Sequence, residues 1–258
     1  MSLYLLQLLG VSVVINGILF VIAFGRKSDK LTDASYALSF MTLAVLAFAA
    51  SQQAGYNVIL LLMVLLWALR IGSFLLYRVL HDGRDRRFDA MRNNFWKFGK
   101  FWLGQAVTVW VLMLPYMMSM RTSGDWNWLA LSGVVLWAAG FIIEGIADVQ
   151  KYEFTHRPSR SGHWIDSGVW RYSRHPNYFG EILVWIGVYL FALPGLSTVG
   201  MLVGAISPLF ISALLLFVSG IPPLEQSAEK RWGRDPGYQA YKKRTSILIP
   251  WPPRSRND

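Results

Sequence analysis

The sequence contains no cysteine in its 258 residues, which excludes a disulfide scaffold, a thiolate metal site and a cysteine nucleophile. Charged residues are also scarce. They make up 16% of the chain, whereas soluble domains carry roughly 25%. Apolar residues supply 54%. This balance indicates an integral membrane protein. We therefore attribute the net charge of +10 to basic loops that face an anionic ligand or lipid surface, and not to nucleic-acid binding.

Several motifs of soluble enzymes are missing as well. The chain has no Gly-rich dinucleotide fingerprint, no P-loop and no His-Glu-x-x-His zinc motif. Of the four histidines, only His156 and His163 are close in sequence, so we predict no metal site. There is no internal repeat, low-complexity tract or separate soluble segment. We therefore expect one membrane domain over residues 1–258.

Seven apolar segments approach the length of about 20 residues that a helix needs to cross the hydrocarbon core. They cover residues 3–24, 35–51, 57–77, 101–119, 127–147, 177–194 and 198–220. The first is longer than a signal-peptide core and precedes its basic pair, so we interpret it as a retained helix. Pro208 predicts a kink in the last segment. The sequence thus predicts an all-α bundle of seven transmembrane helices.

The distribution of basic residues predicts the orientation of this bundle. All 25 lysines and arginines except Arg70 and Arg121 lie in alternate connections or in the C-terminal tail. Such asymmetry places the N-terminus outside and the C-terminus in the cytoplasm. Several tryptophans near helix ends suit the interfacial aromatic belt: Trp126, Trp128, Trp164 and Trp170.

Polar residues inside the predicted spans are few, and charges there are costly enough to be functional hypotheses. Arg70 lies within the third segment, where it forms either a structural ion pair or part of a site. Glu144 and Asp148 share one helix face, as do Asn177 and Glu181, because each pair is four residues apart. In the predicted orientation all of these groups lie in the cytoplasmic half of the bilayer.

The segment GHWIDSGVWRYSRHPNYFGE at 162–181 concentrates polar chemistry just before an apolar helix. Pro176 suits a first helical turn, and free amides at a helix start attract anions. Arginines nearby can bind phosphate with two hydrogen bonds. We therefore predict a phosphate- or carboxylate-bearing cofactor at the membrane boundary; the alternative is a basic loop that only binds lipid headgroups. The candidate residues are Arg171, Tyr172, Arg174, His175, Asn177, Tyr178 and Glu181.

Two stretches, GVWRYSRHPNYFGEILVWIG and EKRWGRDPGYQAYKKRTSILIPW, carry a family resemblance. Over residues 140–252 the chain resembles the membrane-embedded steroid 5-alpha-reductases and their bacterial relatives. The resemblance implies seven helices with NADPH in a cytoplasm-facing pocket, and reduction of the carbon–carbon double bond of a 3-oxo-4-ene steroid or similar lipid enone. It further implies the bacterial inner membrane, with residues 1–120 mainly on the substrate side and 121–258 mainly on the cofactor side.

The resemblance also implies roles for individual residues. Asn177 and Glu181 match the asparagine and glutamate that contact the cofactor, and Asp148 matches the acid that ends the fifth helix. Lys243 and Arg244 match the basic tail. We expect the nucleotide phosphates to meet that tail together with four arginines: Arg157, Arg160, Arg171 and Arg174.

On the substrate side the sequence departs from the family pattern. A glutamate that holds the substrate carbonyl is matched here by Gln53, whose amide can donate a hydrogen bond but cannot supply a proton as an acid. The partner tyrosine is either Tyr77 or Tyr56. Hydride would add to the beta carbon of the enone, and the resulting enolate would be protonated at its alpha carbon.

Two other functions remain open from the sequence. The isoprenylcysteine carboxyl methyltransferases share an Arg-His-Pro-x-Tyr signature, bind S-adenosylmethionine and carry paired glutamates, for which the nearest match is Glu225–Gln226. A lipid or sterol transporter or receptor is the non-enzymatic alternative. A transporter would be expected to show repeat symmetry and polar groups near the bilayer midplane.

Overall fold

A computed structural model describes residues 2–51, 55–82, 88–89, 91–122, 124–160 and 162–253. These residues are almost entirely helical, and they contain no strand beyond an isolated bridge between Ser173 and Ser246. The helices are α1 (Ser2–Gly25), α2 (Thr32–Ala49), α3 (Gly55–Asp82), α4 (Phe95–Leu112), α5 (Leu114–Ser119), α6 (Trp128–Thr155), α7 (Pro176–Ala192), α8 (Thr198–Gly204), α9 (Ile206–Ala213), α10 (Ile221–Trp232) and α11 (Pro236–Arg244).

Six helices within the described ranges are long and apolar enough to cross a membrane. They are α1, α2, α3, α6, the stretch Pro176–Gly195 that contains α7, and the stretch Thr198–Trp232 that contains α8, α9 and α10. The protein is therefore a helical integral membrane protein surrounded by lipid. The count of seven and the orientation of the termini remain predictions.

The segment predicted as a fourth span, 101–119, is divided between α4 and α5 at Met113. Pro115 explains the division, because it has no N–H to donate to the carbonyl four residues before it. In addition, α4 begins at Phe95 and so includes Lys97 and Lys100, which make it less apolar. This segment is not among the six candidate spans.

The sequence predicts a kink at Pro208, and the structure has a break in the helix just before this residue. The helical stretch breaks at Ala205, and α9 begins two residues before the proline. Pro208 cannot donate a hydrogen bond to the carbonyl of Gly204, so the regular hydrogen-bond pattern is lost in the turn before the proline. Further along, Leu214–Val218 adopt a π-helical turn before α10 begins.

The chain forms two compact units, Met1–Gly133 with Val188–Ser207, and Val134–Gly187 with Pro208–Asp258. In the first unit, a buried polar cluster joins α1, α2 and α4. The Asn16 amide donates to Ser39 Oγ at 2.9 Å, and the Gln105 amide donates to Asn16 Oδ1 at 2.9 Å and to Ser35 Oγ at 2.6 Å. Hydrogen bonds of this kind fix helix pairs inside lipid, where the hydrophobic effect gives no preference for one packing.

In the second unit, α6 and α7 approach each other through two glycines. A Cβ atom on Gly180 would lie 2.7 Å from the Gly140 carbonyl oxygen and 2.7 Å from the Glu144 amide nitrogen. A Cβ on Gly140 would lie 2.5 Å from the Gly180 carbonyl oxygen. The missing side chains thus let the two backbones touch, as small residues do in membrane helix pairs. This contact fixes the first turns of α7 against α6.

We expect the substitution Gly180→Ala to lower the free energy of unfolding by about 1–3 kcal/mol, because the added methyl group meets rigid backbone atoms. Gly145→Ala in α6 is the matched control, since nothing lies within 4 Å of its added Cβ. Thermal unfolding in detergent, followed by intrinsic fluorescence, measures both. Equal unfolding temperatures for the two variants would contradict the proposed close contact.

Candidate functional site

The second unit contains a cavity of about 230 Å³ at the end of α6. Its walls come from the last turns of α6, from the segment before α7, and from α10 and α11. Three lining side chains are cationic: Lys151, Arg174 and Arg231. Glu225 and two histidines also line it, and the remaining wall is largely aromatic: Trp164, Trp170, Trp232, Tyr238 and Tyr241.

Hydrogen bonds attach the segment before α7 to both sides of this cavity. The Trp170 indole N–H donates to the Ala147 carbonyl at 3.1 Å, and the Val169 amide donates to the Gln150 side-chain oxygen at 3.0 Å. From the other side, the Tyr241 hydroxyl donates to the Trp170 carbonyl at 2.9 Å. Burial raises the pKa of Tyr241, so this phenol stays protonated and keeps donating.

The aromatic wall depends on where α11 begins. Asp235 is the N-cap of α11, where its side chain accepts hydrogen bonds from the Gly237 and Tyr238 amides at 2.7 and 3.3 Å. The Tyr238 ring packs against Trp164, with ring centroids 5.4 Å apart, and against Trp232 at 5.8 Å. The cap therefore places a phenol ring between two indoles.

Glu225 on α10 joins the two polar residues that precede α7. Its Oε2 accepts a hydrogen bond from Arg174 Nη1 at 2.8 Å, and its Oε1 lies 2.9 Å from His175 Nε2. All three side chains are largely buried. A buried carboxylate is tolerated when both of its oxygens are paired in this way.

Three polar atoms of the cavity wall lack a hydrogen-bond partner among the described residues: Arg174 Nε, His175 Nδ1 and Trp164 Nε1. Each buried group left without a partner costs about 1–3 kcal/mol, and native structures contain few of them. Arg174 and Trp164 offer N–H donors. When His175 donates Nε2–H to Glu225, its Nδ1 is an acceptor. Residues that line the cavity thus hold two buried donors and one buried acceptor without partners.

The cavity wall carries excess positive charge. Burial lowers the pKa of His175 below its ordinary value, although the hydrogen bond with Glu225 opposes this, so the imidazole is neutral near pH 7. One carboxylate therefore faces three cations. Two of the cations also lie over indole rings: Lys151 Nζ is 4.8 Å from the Trp170 centroid, and the Arg231 guanidinium is 4.9 Å from the Trp232 centroid.

Of the residues predicted from sequence, Arg174 and His175 line this cavity. Asn177 and Asp148 are joined to each other, since the asparagine amide donates to Asp148 Oδ1 at 3.3 Å and so links α7 to α6. The Tyr178 ring stacks on the His175 ring at 5.6 Å. Glu181 is half-buried, one turn beyond Asn177.

The other predicted cationic residues do not border the cavity. Lys243 and Arg244 line a separate groove of about 330 Å³ beside the C-terminal tail. The remaining predicted residues are exposed and line neither space: Arg157, Arg160, Arg171 and Tyr172.

Two of the residues predicted to hold the substrate, Tyr56 and Tyr77, belong to the first unit. Gln53 lies outside the described residues. The Tyr56 hydroxyl donates to the Phe191 carbonyl, and its ring stacks on the Phe191 ring at 4.4 Å. Tyr77 is half exposed near the end of α3, with its ring centroid 4.0 Å from that of His81. The catalytic roles of all three residues remain predictions.

The structure adds residues that the sequence analysis did not assign to a site. Trp170, interpreted from sequence as part of an interfacial belt, is instead buried, and Trp164 lines the cavity with it. From sequence, Glu225 is a candidate only in the methyltransferase alternative, as part of Glu225–Gln226. A signal for the α10 and α11 residues existed, because the stretch EKRWGRDPGYQAYKK that carries the family resemblance contains Arg231, Trp232, Tyr238 and Tyr241.

Comparison with known proteins identifies a family but no activity. Residues 19–245 match the family described as protein of unknown function DUF1295, and the chain belongs to that family. It is similar to the uncharacterized protein C594.04c of Schizosaccharomyces pombe, with 28% identity over 112 residues. That match covers 34% of this chain and 31% of the relative, so the chain spans about a third of the relative's length. No solved structure matches the chain.

The lowered pKa of His175 predicts how stability depends on pH. Below about pH 6.5, His175 is protonated in the unfolded state but stays neutral in the folded state. The free energy of unfolding therefore falls as the pH falls through this value. Above it, the full stability is present. We expect a loss of up to about 1.4 kcal/mol per pH unit in this window.

The substitution His175→Gln keeps a polar side chain and removes the titration, so its unfolding temperature should vary less between pH 7 and pH 5. Exposed His156, replaced in the same way, is the control for general acid sensitivity. Wild-type protein and both variants are compared by thermal unfolding at each pH. An unchanged slope in the His175 variant would show that this imidazole is not held neutral by burial.

Proposed function

We propose that this member of the DUF1295 family is an NADPH-dependent reductase of the carbon–carbon double bond of a 3-oxo-4-ene steroid or a similar lipid enone. The proposal depends on one observation: the cavity beside the start of α7 combines excess positive charge, aromatic faces and buried polar atoms without partners. The sequence resemblance of residues 140–252 to the membrane-embedded steroid 5-alpha-reductases supports the same function.

A nucleotide cofactor fits the chemistry of the cavity wall. Lys151 and Arg231 offer charge to phosphate oxygens, and Arg174 offers its Nε–H while Glu225 holds the other end of the guanidinium. The His175 Nδ1 atom can accept from a ribose hydroxyl. Indole and phenol rings provide stacking surfaces for a base.

The volume of the cavity limits how much of the cofactor it holds. Sites that enclose a whole small ligand usually measure about 300–1,000 Å³, and this cavity is smaller, at about 230 Å³. We therefore infer that it receives one phosphate and the ring next to it. The remaining part of the dinucleotide would extend toward the other predicted residues of α7, namely Asn177, Tyr178 and Glu181.

In the proposed reaction, NADPH supplies the hydride, while the protein supplies position and electrostatics. Glu225 holds Arg174 and His175 so that their remaining polar atoms are already oriented before a ligand arrives. On the substrate side, a donor at the enone carbonyl stabilises the developing enolate charge, and each such donor contributes about 2.7–4 kcal/mol. Gln53, Tyr56 or Tyr77 is the proposed donor.

A membrane S-adenosylmethionine-dependent methyltransferase is the second candidate, and Glu225 is the observation in its favour. This carboxylate stands beside the Arg-His-Pro signature, where it could attract a cationic cofactor. However, both of its oxygens are already paired with Arg174 and His175. The other charged groups of the wall, Lys151 and Arg231, favour an anionic ligand.

Ligand-dependent thermal stability separates the two candidates. We expect NADPH to raise the unfolding temperature of the purified protein, since a ligand at 100 times its Kd adds about 2.7 kcal/mol to stability. S-adenosylmethionine should have no effect. We further expect NADPH oxidation in detergent with a 3-oxo-4-ene steroid or another enone, followed by identification of the saturated product. Stabilisation by S-adenosylmethionine alone would refute the reductase proposal.

The charge of the cavity wall gives a second prediction. Arg231→Gln should weaken NADPH binding about tenfold or more, because a hydrogen bond to a charged group contributes about 1.5–3 kcal/mol. Arg234→Gln is the matched control, since Arg234 is also exposed and follows the same helix but does not line the cavity. Nucleotide affinity is measured by titration at fixed salt. Equal weakening in both variants would indicate only a long-range charge effect.

A further inference from the structure

The chain after α11 runs alongside the segment that precedes α7, with bends at residues 245 and 247–249. The Arg174 amide donates to the Ser246 carbonyl at 2.8 Å, and Ser173 Oγ donates to the Leu248 carbonyl at 2.7 Å. Further on, the Trp251 amide donates to the Tyr172 carbonyl at 3.0 Å. These bonds hold the tail at three successive points, so its position is fixed relative to α7.

The side chains of this tail alternate between two environments. Ser246, Leu248 and Pro250 are partly buried, whereas Ile247, Ile249 and Trp251 are 45%, 59% and 68% exposed. The tail therefore has an exposed row of three large apolar side chains at every second position, although it lies outside the six candidate spans.

The attachment points place this row at the edge of the bilayer. Arg174 is two residues before Pro176, where the candidate span begins, and Tyr172 is four residues before it. A chain reaches at most about 3.6 Å per residue, so these points lie within about 7 and 14 Å of the span. The polar layer on each side of a bilayer is about 5–8 Å thick. The tail thus lies at the depth of the headgroups or just outside it.

Basic side chains accompany the apolar row. Lys243 is exposed and forms no ion pair with any residue that the structure describes. Arg244 lies 3.6 Å from Asp166 and keeps 40% of its side chain exposed. Both border the groove of about 330 Å³, whose wall also includes Trp251. Cations next to exposed apolar and indole side chains are the combination that binds an anionic lipid surface.

We propose that residues 243–251 form an interfacial anchor on the bilayer that α7 enters. Ile247, Ile249 and Trp251 insert between lipid headgroups, and Lys243 and Arg244 bind lipid phosphate at the groove. This role goes beyond the proposed reductase activity, and it gives the two basic residues a lipid ligand instead of the cofactor phosphates. Because the same tail is bonded to Arg174, membrane contact and the cavity wall are mechanically linked.

The absence of cysteine makes this proposal directly testable. A single Ile249→Cys variant can be labelled with a nitroxide in the full-length protein, in vesicles of phosphatidylcholine and phosphatidylglycerol. We expect its collision rate with oxygen, relative to that with a water-soluble nickel chelate, to be several-fold higher than for a label at Arg234→Cys, an exposed polar position after α10. Equal ratios at the two positions would overturn the insertion.

The contribution of the basic residues is tested with the same label. Combining Lys243→Gln with Ile249→Cys should lower the oxygen-to-nickel ratio, and so should vesicles of phosphatidylcholine alone. A ratio unaffected by both changes would overturn the role of lipid phosphate. The measurement needs no nucleotide or substrate, so its outcome is independent of the reductase proposal.

Discussion

The candidate site depends on one carboxylate. Glu225 lies 51 and 50 residues from Arg174 and His175 in sequence, and it binds both through separate oxygens. A buried ion pair of this kind adds little net stability over an apolar contact of the same shape, but removing one partner leaves an uncompensated charge. Its main effect is therefore geometric: it fixes α10 against the start of α7 and leaves one polar atom on each of Arg174 and His175 available.

Close packing between the backbones of α6 and α7 also fixes the start of α7, on its α6 side. Gly140 and Gly180 allow α6 and α7 to touch, which brings Asp148 of α6 within hydrogen-bond distance of Asn177 in the first turn of α7. In lipid, helices gain little from burying apolar surface, so small residues and polar contacts decide how they pair. The polar end of the second unit is thus held together by three sets of contacts: the close approach of Gly140 and Gly180, the hydrogen bond between Asn177 and Asp148, and the pairing of Glu225 with Arg174 and His175.

The apolar spans and some residues of the candidate site could be predicted from sequence. The features that could not be predicted have physical reasons. The lengths of the apolar segments predicted the membrane spans, because apolar side chains are favoured in the hydrocarbon core of the bilayer. Hydropathy does not report helix continuity, and so the segment 101–119 was predicted as one helix although Pro115 divides it. Arg174 and His175 were predicted together because they are adjacent in one motif, and both line the cavity, whereas the contact with Glu225 is tertiary and leaves no sequence signal. Trp170 was predicted to lie in the interfacial belt but is buried. Hydropathy cannot separate the two positions, because an indole near a helix end has the same hydropathy whether it faces lipid or a cavity.

The bonds between the tail and the segment before α7 also determine when the site can form during synthesis. Carbonyl groups of Ser246 and Leu248 accept hydrogen bonds from residues that the ribosome has made more than 70 positions earlier. Membrane helices can insert as they emerge, but the Arg174 amide and the Tyr172 carbonyl obtain their hydrogen-bond partners only after Ser246 and Trp251 have been made. A nascent chain released before this point would already be embedded in the bilayer with an unfinished cavity.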